Sequence, residues 1–387
     1  MTDDVEQAFR RWIKPGATVA LADGVGMPVG LCAALSSVAR EVGGVKLILG
    51  WCPELPATLD LDAFVDVRAF MPGRALRDGV ASGAVRYVPA YLSQLPSLFA
   101  TTWRPDLLVM AVRETSNGLR LGSEVSWINV AAQLSVACIA ELNNALPDAA
   151  QQHILHGVEV KVVSESVRAP MLVQERGVDS VFAEIGSRVA KYVMPGAAVQ
   201  FGPGPLGESF LAALDVPVKV DTGIATDSLV DLDARGLLLG DPIATYLAGT
   251  EKLYEWANGR ALLDGVETTH RYGRLDTVDL VAVNGALQID LIGQVGVDGG
   301  DSTQVAGIGG YVDYASAAAR STKGVSIVAV PSTRRGASTL VERLTVPVSV
   351  QRSIVDIVVT ERGSADLRGR SDSERAKLIG SLFEAVG

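Results

Sequence analysis

The chain has 387 residues, of which 48% are apolar and 20% are charged, and its formal net charge is −10. This length exceeds what one hydrophobic core usually organises, and the composition excludes a largely disordered chain. The acidic balance excludes a general nucleic-acid binder, which needs a basic surface to meet phosphates, but it leaves room for a local anion site.

The N-terminus and the cysteines indicate the compartment. MTDDVEQAFRRW is acidic and amphipathic and lacks the apolar core of a secretion signal. No apolar run reaches the roughly 18 residues that a membrane span needs. Cys32, Cys52 and Cys138 lie far apart and form no CxxC pair, which favours reduced, structural thiols. We therefore expect a soluble, cytoplasmic protein without a membrane partner.

Short Val-, Ile- and Leu-rich segments alternate with Ala-rich segments along the chain. The spacing predicts helices at 30–42 and 123–134. Strands are predicted at 18–24, 45–51, 85–91, 106–112 and 136–142, and then at 197–202, 278–293, 325–333 and 355–363. Their near-continuous hydrophobicity is typical of strands covered on both faces, so we expect an α/β fold with mostly parallel sheets.

The chain also carries an internal repeat. Residues 15–35, PGATVALADGVGMPVGLCAAL, resemble residues 195–214, PGAAVQFGPGPLGESFLAAL, with one gap. Each copy combines a turn, a strand, a Gly- and Pro-rich loop and an Ala-rich helix. The repeat predicts two similar α/β domains in tandem, at 1–180 and 181–387.

Two glycine-rich loops are candidates for ligand binding. GPGPLG (202–207) lies between a predicted strand and a predicted helix, where backbone amides and the helix dipole can receive a phosphate or carboxylate. Its two prolines remove two amide donors, so a tight structural turn is an equal alternative. AGIGGY (306–311) has glycines at 307, 309 and 310, which permit either a close approach to a ligand or a turn with positive φ.

The familiar catalytic motifs do not occur in the sequence. His153, His156 and His270 are the three histidines, and none has metal-ligand spacing or a GxSxG partner. There is no Walker loop and no basic strip with interleaved aromatic residues. Composition and spacing therefore predict a two-domain α/β protein with glycine-rich ligand loops, without a metal and without a nucleic-acid partner.

Residues 281–333 carry a family resemblance. They read VAVNGALQIDLIGQVGVDGGDSTQVAGIGGYVDYASAAARSTKGVSIVAVPST. This segment resembles the signature INSALEVDLTGQV, SGxGGQxDFxRGA and GGKSIIALPST of the acetyl-CoA hydrolase/transferase family, which includes the 4-hydroxybutyrate and butyryl CoA-transferases. The resemblance implies two CoA-transferase-type α/β domains, of the NagB/RpiA/CoA-transferase-like kind, and an acyl-CoA substrate.

The flanking segments are similar to the same family. KVDTGIATDSLVDLDARG (219–236) is similar to HTEMxSDGxVDLxExG, and YLAGTEKLYEW (246–256) is similar to GTxELYDF. Residues 346–379 resemble the ending VTTxRxDVxYVVTEYGxAxLRGKSxxERAxxLI, whereas 85–99 and 140–147 match more weakly. The resemblance thus covers nearly the whole chain.

The resemblance also implies a chemistry, from which this chain departs. In the family a glutamate attacks the acyl-CoA carbonyl and forms an acyl-glutamyl anhydride and then a glutamyl-CoA thioester. The glutamate is identified with the E of SALEVDL, where this chain has Gln288, and Tyr311 replaces the Gln of GGQ. Because a carboxamide is a far poorer nucleophile, we expect water to hydrolyse the thioester, or the carbon–carbon bond β to it in a β-keto acyl-CoA.

The resemblance suggests roles for individual residues. The amides of Gly309 and Gly310 are the expected oxyanion donors, and Gln288 is a further donor. Glu114 is a candidate base because its segment echoes that of Gln288, although exposed loop carboxylates are common; for Asp290 and Glu361 structural hydrogen bonding is expected. The predicted CoA-binding residues, with two arginines for the phosphates, are Gly202, Gly204, Gly307, Gly309, Gly310, Tyr311, Arg334 and Arg335.

Other functions stay open at this point. One alternative is an acyl-CoA:carboxylate CoA-transferase that uses another carboxylate, and a second is a non-catalytic CoA-binding paralogue. An engineered Glu→Gln change is less favoured because Tyr311 and Gly285 also diverge from the family pattern. The expected partners are an acyl-CoA, which is a substrate and not a covalent cofactor, a carboxylic acid, and further copies of the chain in a homodimer or homotetramer.

Overall fold

The computed structural model describes residues 2–175, 177–299 and 306–383. The helices are α1 (Thr2–Trp12), α2 (Cys32–Val42), α3 (Arg77–Ser82), α4 (Leu95–Ala100), α5 (Ile128–Leu134), α6 (Ser180–Ala190), α7 (Pro205–Ala213), α8 (Asp227–Ala234), α9 (Glu251–Ala257), α10 (Val266–Thr269), α11 (Tyr272–Leu275), α12 (Tyr311–Arg320) and α13 (Asp372–Ser381).

The strands of the first half are β1 (Thr18–Leu21), β2 (Lys46–Leu49), β3 (Asp66–Ala69), β4 (Arg86–Tyr87), β5 (Leu107–Thr115), β6 (Gly118–Arg120), β7 (Ala137–Asn143) and β8 (Val160–Ser166). Those that follow are β9 (Ala198–Phe201), β10 (Lys219–Val220), β11 (Ile224–Ala225), β12 (Tyr246–Leu247), β13 (Leu280–Asn284), β14 (Gln288–Asp290), β15 (Val295–Gly296), β16 (Val325–Ala329), β17 (Thr333–Arg334), β18 (Ala337–Ser338), β19 (Leu340–Val341), β20 (Ile357–Thr360) and β21 (Gly363–Asp366).

The described residues fall into two compact units. The first unit takes those within 1–173, 245–268 and 301–307, and the second takes those within 174–244, 269–300 and 308–387. This division differs from the predicted ranges because residues 245–268, from the second half of the sequence, pack with the first unit. In that packing the backbone N–H of Gln151 donates to the carbonyl oxygen of Leu263 at 2.9 Å.

The sheet of the first unit is almost entirely parallel. Its strand order is β4-β3-β2-β1-β5-β7-β8, and β6 pairs with β5 in the antiparallel sense. From β1 the chain builds one side of the sheet through β2, β3 and β4 and the other side through β5, β7 and β8. The strand order therefore reverses between β1 and β5, which is the position where open α/β sheets bind ligands at the carboxyl ends of their strands.

The sheet of the second unit has the order β10-β9-β13-β16-β20-β21. All neighbours are parallel except β20 and β21. Here the order reverses between β9, which is followed by β10 on one side, and β13 on the other. A small sheet, β15-β14-β19, carries the residues that follow β13. The predicted α/β fold with mostly parallel sheets is confirmed.

Each unit contains the predicted repeat of turn, strand, loop and helix. Gly16 and Gly196 have φ values of +86° and +81°, in the left-handed region that glycine adopts without steric cost. The turns are closed by backbone bonds from Ala17 to Lys14 at 2.9 Å and from Ala197 to Met194 at 3.1 Å. Proline followed by a left-handed glycine is the sequence signature of such a turn. Strands β1 and β9 follow these turns.

Both sheets are covered by apolar side chains. In the first unit one buried cluster joins α1, α2 and the strands from β1 to β5, with Phe9, Leu35 and Leu47 among its fully buried members. In the second unit a cluster around Ile289, Tyr311 and Val358 joins β14, α12 and β20. Within the ranges that the structure describes, no helix has both the length and the apolar character to cross a membrane.

Candidate functional site

Loops that the sequence singles out meet at the carboxyl edge of the second sheet. Strand β9 leads into residues 202–207, and β13 leads through Gly285 to Gln288. The two strand ends are joined by the buried amides of Gln200 and Asn284, which exchange hydrogen bonds of 3.1 and 2.9 Å. A side chain at Gly285 would lie 3.6 Å from Leu206, so the two loops are in van der Waals range. This edge is the candidate site.

The three glycines of the 202–207 loop serve different needs. Gly204 precedes α7 with φ +106°, a conformation that other residues rarely adopt. A Cβ at Gly207 would collide with the carbonyl oxygen of Gly202, so this glycine allows helix α7 to approach the strand end closely. Gly202 has neither a positive φ nor a neighbour within 4 Å of a Cβ. Its lack of a side chain therefore has no structural reason within the described residues.

Gln288 lies at the start of β14 with its amide engaged at both ends. Its Nε2 donates to Oγ1 of Thr345 at 2.8 Å, and its Oε1 accepts from the backbone N–H of Thr345 at 3.0 Å. The Thr345 hydroxyl also lies 3.0 Å from Oε1. The side chain is therefore held at both ends by one uncharged residue, Thr345.

The loop of Gly309 and Gly310 leads directly into α12. Gly309 has φ +61°, and Gly310 stands at the N-cap position without a side-chain cap. The amides of the first turn of α12 and the helix dipole thus favour a negative charge at this end. Tyr311 begins the helix with its ring in the buried cluster, and its hydroxyl has no hydrogen-bond partner among the described residues. Burial raises the pKa of that hydroxyl.

Arg334 and Arg335 lie on an exposed hairpin after β16. Strands β17 and β18 pair in the antiparallel sense, and the turn between them contains Arg335 with φ +50° and Gly336 with φ +79°. Two successive residues with positive φ are typical of a tight hairpin turn. Both arginine side chains are exposed, so they are accessible to a phosphate.

Asp290 and Glu361 are held in structural hydrogen bonds. Asp290 accepts from the backbone N–H of Ile292 at 3.1 Å and of Gln294 at 2.8 Å, and it closes the turn after β14. Glu361 accepts from the backbone N–H of Ser332 at 2.9 Å and from the Ser332 hydroxyl. Burial opposes ionisation of Glu361, but the bonds from Ser332 outweigh it and the pKa is lowered.

Glu114 and Gly307 belong to the first unit. Glu114 lies on the β5–β6 hairpin with an exposed side chain, and its backbone N–H donates to Oδ1 of Asn144 at 2.9 Å. A Cβ at Gly307 would collide with the carbonyl oxygen of Phe70, so close backbone packing requires glycine there. The roles proposed for these two residues stay predictions. Residues 300–305 of the signature segment lie outside the described residues.

Two features of the sites are absent from the sequence-based candidates. The first is Gly223, just after β10. In the stretch KVDTGIATDS it aligns with the E of HTEM, so the family pattern has a second glutamate that this chain lacks. A Cβ at Gly223 would have no atom of the described residues within 4 Å, and the φ of Gly223 is not in the left-handed region. The motif comparison contained the signal that would have identified this position.

The second is a pair of buried carboxyl groups beside the switch point of the first sheet. Asp23 accepts hydrogen bonds from the backbone N–H of Trp51 at 2.7 Å, from Nε1 of Trp127 at 2.9 Å and from the hydroxyl of Tyr246 at 2.9 Å. Burial raises the pKa of Asp23 to about 7. Sequence patterns could not predict this group, because Asp23 and its hydrogen-bond partners lie far apart in the sequence.

Glu124 is the second member of that pair. It accepts from the backbone N–H of Gly26 at 3.1 Å and from the Ser123 hydroxyl at 2.8 Å. Burial, with a smaller contribution from the charge of Asp23, raises the pKa of Glu124 to about 8. Throughout 2–175, 177–299 and 306–383, no group of three or more His, Cys, Asp and Glu side chains is arranged to hold a metal ion.

The architecture of the two units is that of CoA-transferases. The 4-hydroxybutyrate CoA-transferase structure from Porphyromonas gingivalis superposes with a TM-score of 0.77 at 22% identity, over 98% of this chain and 93% of that chain. At this identity the likeness establishes the fold, and it confirms the predicted CoA-transferase-type domains.

Sequence comparisons find similarity to one family of CoA enzymes. Residues 249–382 match the acetyl-CoA hydrolase/transferase C-terminal domain. The 4-hydroxybutyrate coenzyme A transferase of Clostridium kluyveri is 27% identical over 80% of this chain and 77% of its own length. The succinyl-CoA:cyclohexane-1-carboxylate CoA transferase of Geobacter metallireducens is 26% identical over 94% of this chain and 88% of its own length. These matches confirm the predicted resemblance to the acetyl-CoA hydrolase/transferase family.

Proposed function

We propose that the protein binds an acyl-CoA and hydrolyses it, with water in place of a side-chain carboxylate as the nucleophile. The observation that carries the proposal is the amide of Gln288, which is held at both ends by Thr345 where the family pattern has a glutamate. The second family glutamate, aligned with Gly223, is also missing. Without either carboxylate at these positions, the route through a glutamyl anhydride has no nucleophile there.

The reaction needs a water molecule, a base and a site for the oxyanion. Water adds to the thioester carbonyl carbon and loses one proton to the base. The carbon–sulfur bond then breaks, coenzyme A leaves as a thiolate that takes up a proton, and the acyl group leaves as a carboxylic acid. In a β-keto acyl-CoA the same water attacks the β-carbonyl carbon instead and loses one proton to the base. The bond to the α-carbon then breaks, the α-carbon leaves as the enolate of a shorter acyl-CoA that takes up a proton, and the β-carbonyl group leaves as a carboxylic acid.

The chain offers groups for these roles. The amides of Gly309 and Gly310, at the uncapped N-terminus of α12, suit the developing oxyanion because preorganised donors stabilise charge that appears in the transition state. Gly202 and Gly204 leave open space at the end of β9, and the exposed Arg334 and Arg335 suit the CoA phosphates. Glu114 is the proposed base. The homodimer or homotetramer and the cytoplasmic location stay predictions.

The first experiment measures products. The purified protein is incubated with acetyl-CoA, butyryl-CoA and acetoacetyl-CoA, with and without acetate, and all CoA species are followed by mass spectrometry. We expect free coenzyme A at a rate independent of acetate, and no exchange of CoA onto acetate. Acetate-dependent exchange would contradict hydrolysis and favour a CoA-transferase that uses another carboxylate.

Two variants separate the missing nucleophile from a loss of binding. Gln288→Glu and Gly223→Glu each supply a carboxylate where the family pattern has one, and Thr345 can still donate to a glutamate at 288. If the unmodified protein releases no CoA and either variant exchanges CoA onto acetate, the chain is a CoA-binding relative that lacks its nucleophile. If none of the three proteins binds coenzyme A or turns over an acyl-CoA, the proposal of an acyl-CoA ligand is rejected.

A further inference from the structure

His270 is buried under the glycine loop with one ring nitrogen unpaired. The side chain has 0% exposure, and its Nδ1 lies 2.7 Å from the hydroxyl of Thr269. Its Nε2 has no hydrogen-bond partner among the described residues. Buried polar groups are nearly always paired in folded proteins, so an unpaired one needs a physical explanation.

The unpaired nitrogen lies against the backbone of the loop. A Cβ at Gly310 would collide with Nε2 of His270 and would lie 3.2 Å from the ring of Tyr314. The two rings meet edge to face, with centroids 4.9 Å apart. The ring of His270 therefore packs directly against the backbone at the N-terminus of α12. Only glycine at position 310 allows this close contact.

A network of charged groups holds this arrangement. Arg274 donates to both carboxylate oxygens of Asp221, at 2.5 and 3.0 Å, and also to the carbonyl oxygen of Thr269. The Tyr314 hydroxyl lies 3.3 Å from the same carboxylate. The network thus ties the end of β10, where the loop of Gly223 begins, to helix α12 and to the residue before His270.

The ring of His270 is neutral. Burial, and then the positive charge of Arg274, lower the pKa of His270 to about 3. In a neutral ring one nitrogen carries a hydrogen and the other is an acceptor. If the Thr269 hydroxyl donates to Nδ1, the hydrogen must be on Nε2, which faces the loop.

We propose that His270 is a positioning residue for the Gly309–Gly310 loop. Its Nε2–H is a hydrogen-bond donor that stays unpaired in the free protein and pairs with a backbone carbonyl of this loop when a CoA thioester binds. The pairing fixes the loop in the orientation in which its amides face the thioester oxygen. This inference rests on the proposed function, because the ligand of the loop is taken to be an acyl-CoA.

Nitrogen NMR of histidine-labelled protein tests the inference directly, since the chain has three histidines. In the free protein we expect His270 to carry its hydrogen on Nε2; a protonated Nδ1 with a bare Nε2 would overturn the inference. Adding acetyl-CoA should move the Nε2–H proton signal downfield. An unchanged signal, in a sample in which calorimetry records binding, would also overturn it while leaving the proposed function intact.

The same titration separates failure of the inference from failure of the proposed function. If calorimetry records no binding of acetyl-CoA or coenzyme A, the proposed function fails and the inference fails with it. The exposed His156 serves as the control, and its signals should not move on binding.

A pair of variants tests the donor by activity. The amide nitrogen of glutamine occupies nearly the place of Nε2, whereas asparagine reaches only the place of Nδ1. We expect His270→Gln to retain most of kcat and His270→Asn to lose about 100-fold in kcat with little change in KM, because small displacements of catalytic groups have effects of that size. Equal losses in both variants, or a greater loss in His270→Gln, would show that His270 only fills space.

Discussion

At position 288 the amide and its partner Thr345 form a closed pair. Each end of the Gln288 side chain has a hydrogen bond, and neither bond needs a charge. The family pattern located this residue, but no pattern could predict Thr345 as its partner, because 57 positions separate the two in the sequence. A carboxamide that is hydrogen-bonded at both ends does not act as a nucleophile.

The cysteines show a residue property that the sequence could predict. Cys32, Cys52 and Cys138 are free and buried, in line with the expectation of reduced, structural thiols. Burial raises the pKa of Cys32 and Cys52 to about 12 and that of Cys138 to about 11. The thiolate form, which reacts and binds metals, is therefore disfavoured. Apolar neighbours in the sequence were sufficient for this prediction.

Gly202 and Gly207 provide a matched test of the 202–207 loop. Gly207→Ala should lower the free energy of unfolding by about 1–3 kcal/mol, because its Cβ would collide with the carbonyl oxygen of Gly202. Gly202→Ala should leave stability almost unchanged, since no atom of the described residues lies within 4 Å of a Cβ at this position. If the loop receives coenzyme A, however, Gly202→Ala should weaken CoA binding severalfold.

Urea unfolding and calorimetry with coenzyme A check both variants. Gly43→Ala is unsuitable as a control because the φ of Gly43 is +72°, whereas Gly380, in α13, has an ordinary φ and no described atom within 4 Å of a Cβ. Gly380→Ala should therefore affect neither quantity adversely. Unchanged CoA affinity in Gly202→Ala would remove this loop from the binding site.

At the scale of elements, the loop after β1 is built around two carboxyl groups. Cβ atoms at Gly24 and Gly26 would collide with the side chain of Glu124, and one at Gly50 would collide with Asp23. The glycines of ADGVG thus allow the backbone to enclose these acids, which is a packing role that the sequence alone could not separate from ligand binding.

This loop predicts a dependence of stability on pH. Burial raises the pKa of Asp23 from an ordinary value of 3.8 to about 7 and that of Glu124 from 4.5 to about 8. At pH values between the unfolded and the folded pKa of each group, the folded protein binds more protons than the unfolded chain. The contribution of the two groups to stability is therefore greatest below about pH 4 and falls as the pH rises to about 8. We expect the free energy of unfolding to be lower at pH 8 than at pH 5.5.

Urea unfolding of Asp23→Asn and Glu124→Gln at the two pH values measures this contribution. Both variants keep acceptor oxygens for the bonds from Trp127 and Gly26, and each should reduce the difference between pH 5.5 and pH 8. Asp62→Asn, at an exposed position, should leave the difference as it is. A difference as large in both variants as in the unmodified protein would contradict the assignment.

The sequence predicted strands correctly where the apolar segment is continuous. Strands β1, β5 and β7 overlap the predicted segments because most of their residues are buried on both faces of the sheet. Strand β8 was missed because it is an edge strand in which every residue is partly or fully exposed. The predicted strand at 85–91 is reduced to Arg86–Tyr87. Edge strands lack the uniform burial on which the prediction depended.

At the scale of the whole molecule, the repeat predicted two similar α/β units but not how the chain is divided between them. Residues 245–268 lie with the first unit, where Tyr246 donates to Asp23 and Asn129 donates to Glu267 at 2.5 Å. Contacts between residues more than a hundred positions apart leave no periodic trace in one sequence. The family resemblance, by contrast, followed from ordered motifs over nearly the whole chain.

A single turnover in oxygen-18 water tests most directly whether water is the nucleophile. The protein is mixed, in molar excess, with the acyl-CoA that it turns over fastest, and the reaction is quenched after one turnover. The released acid and the peptides of the protein are then analysed by mass spectrometry. Direct attack by water predicts one oxygen-18 atom in the acid and none in any side chain of the protein. Coenzyme A attached to a glutamate or aspartate, or oxygen-18 in such a carboxylate, would contradict the account and identify the nucleophile that replaces the family glutamate.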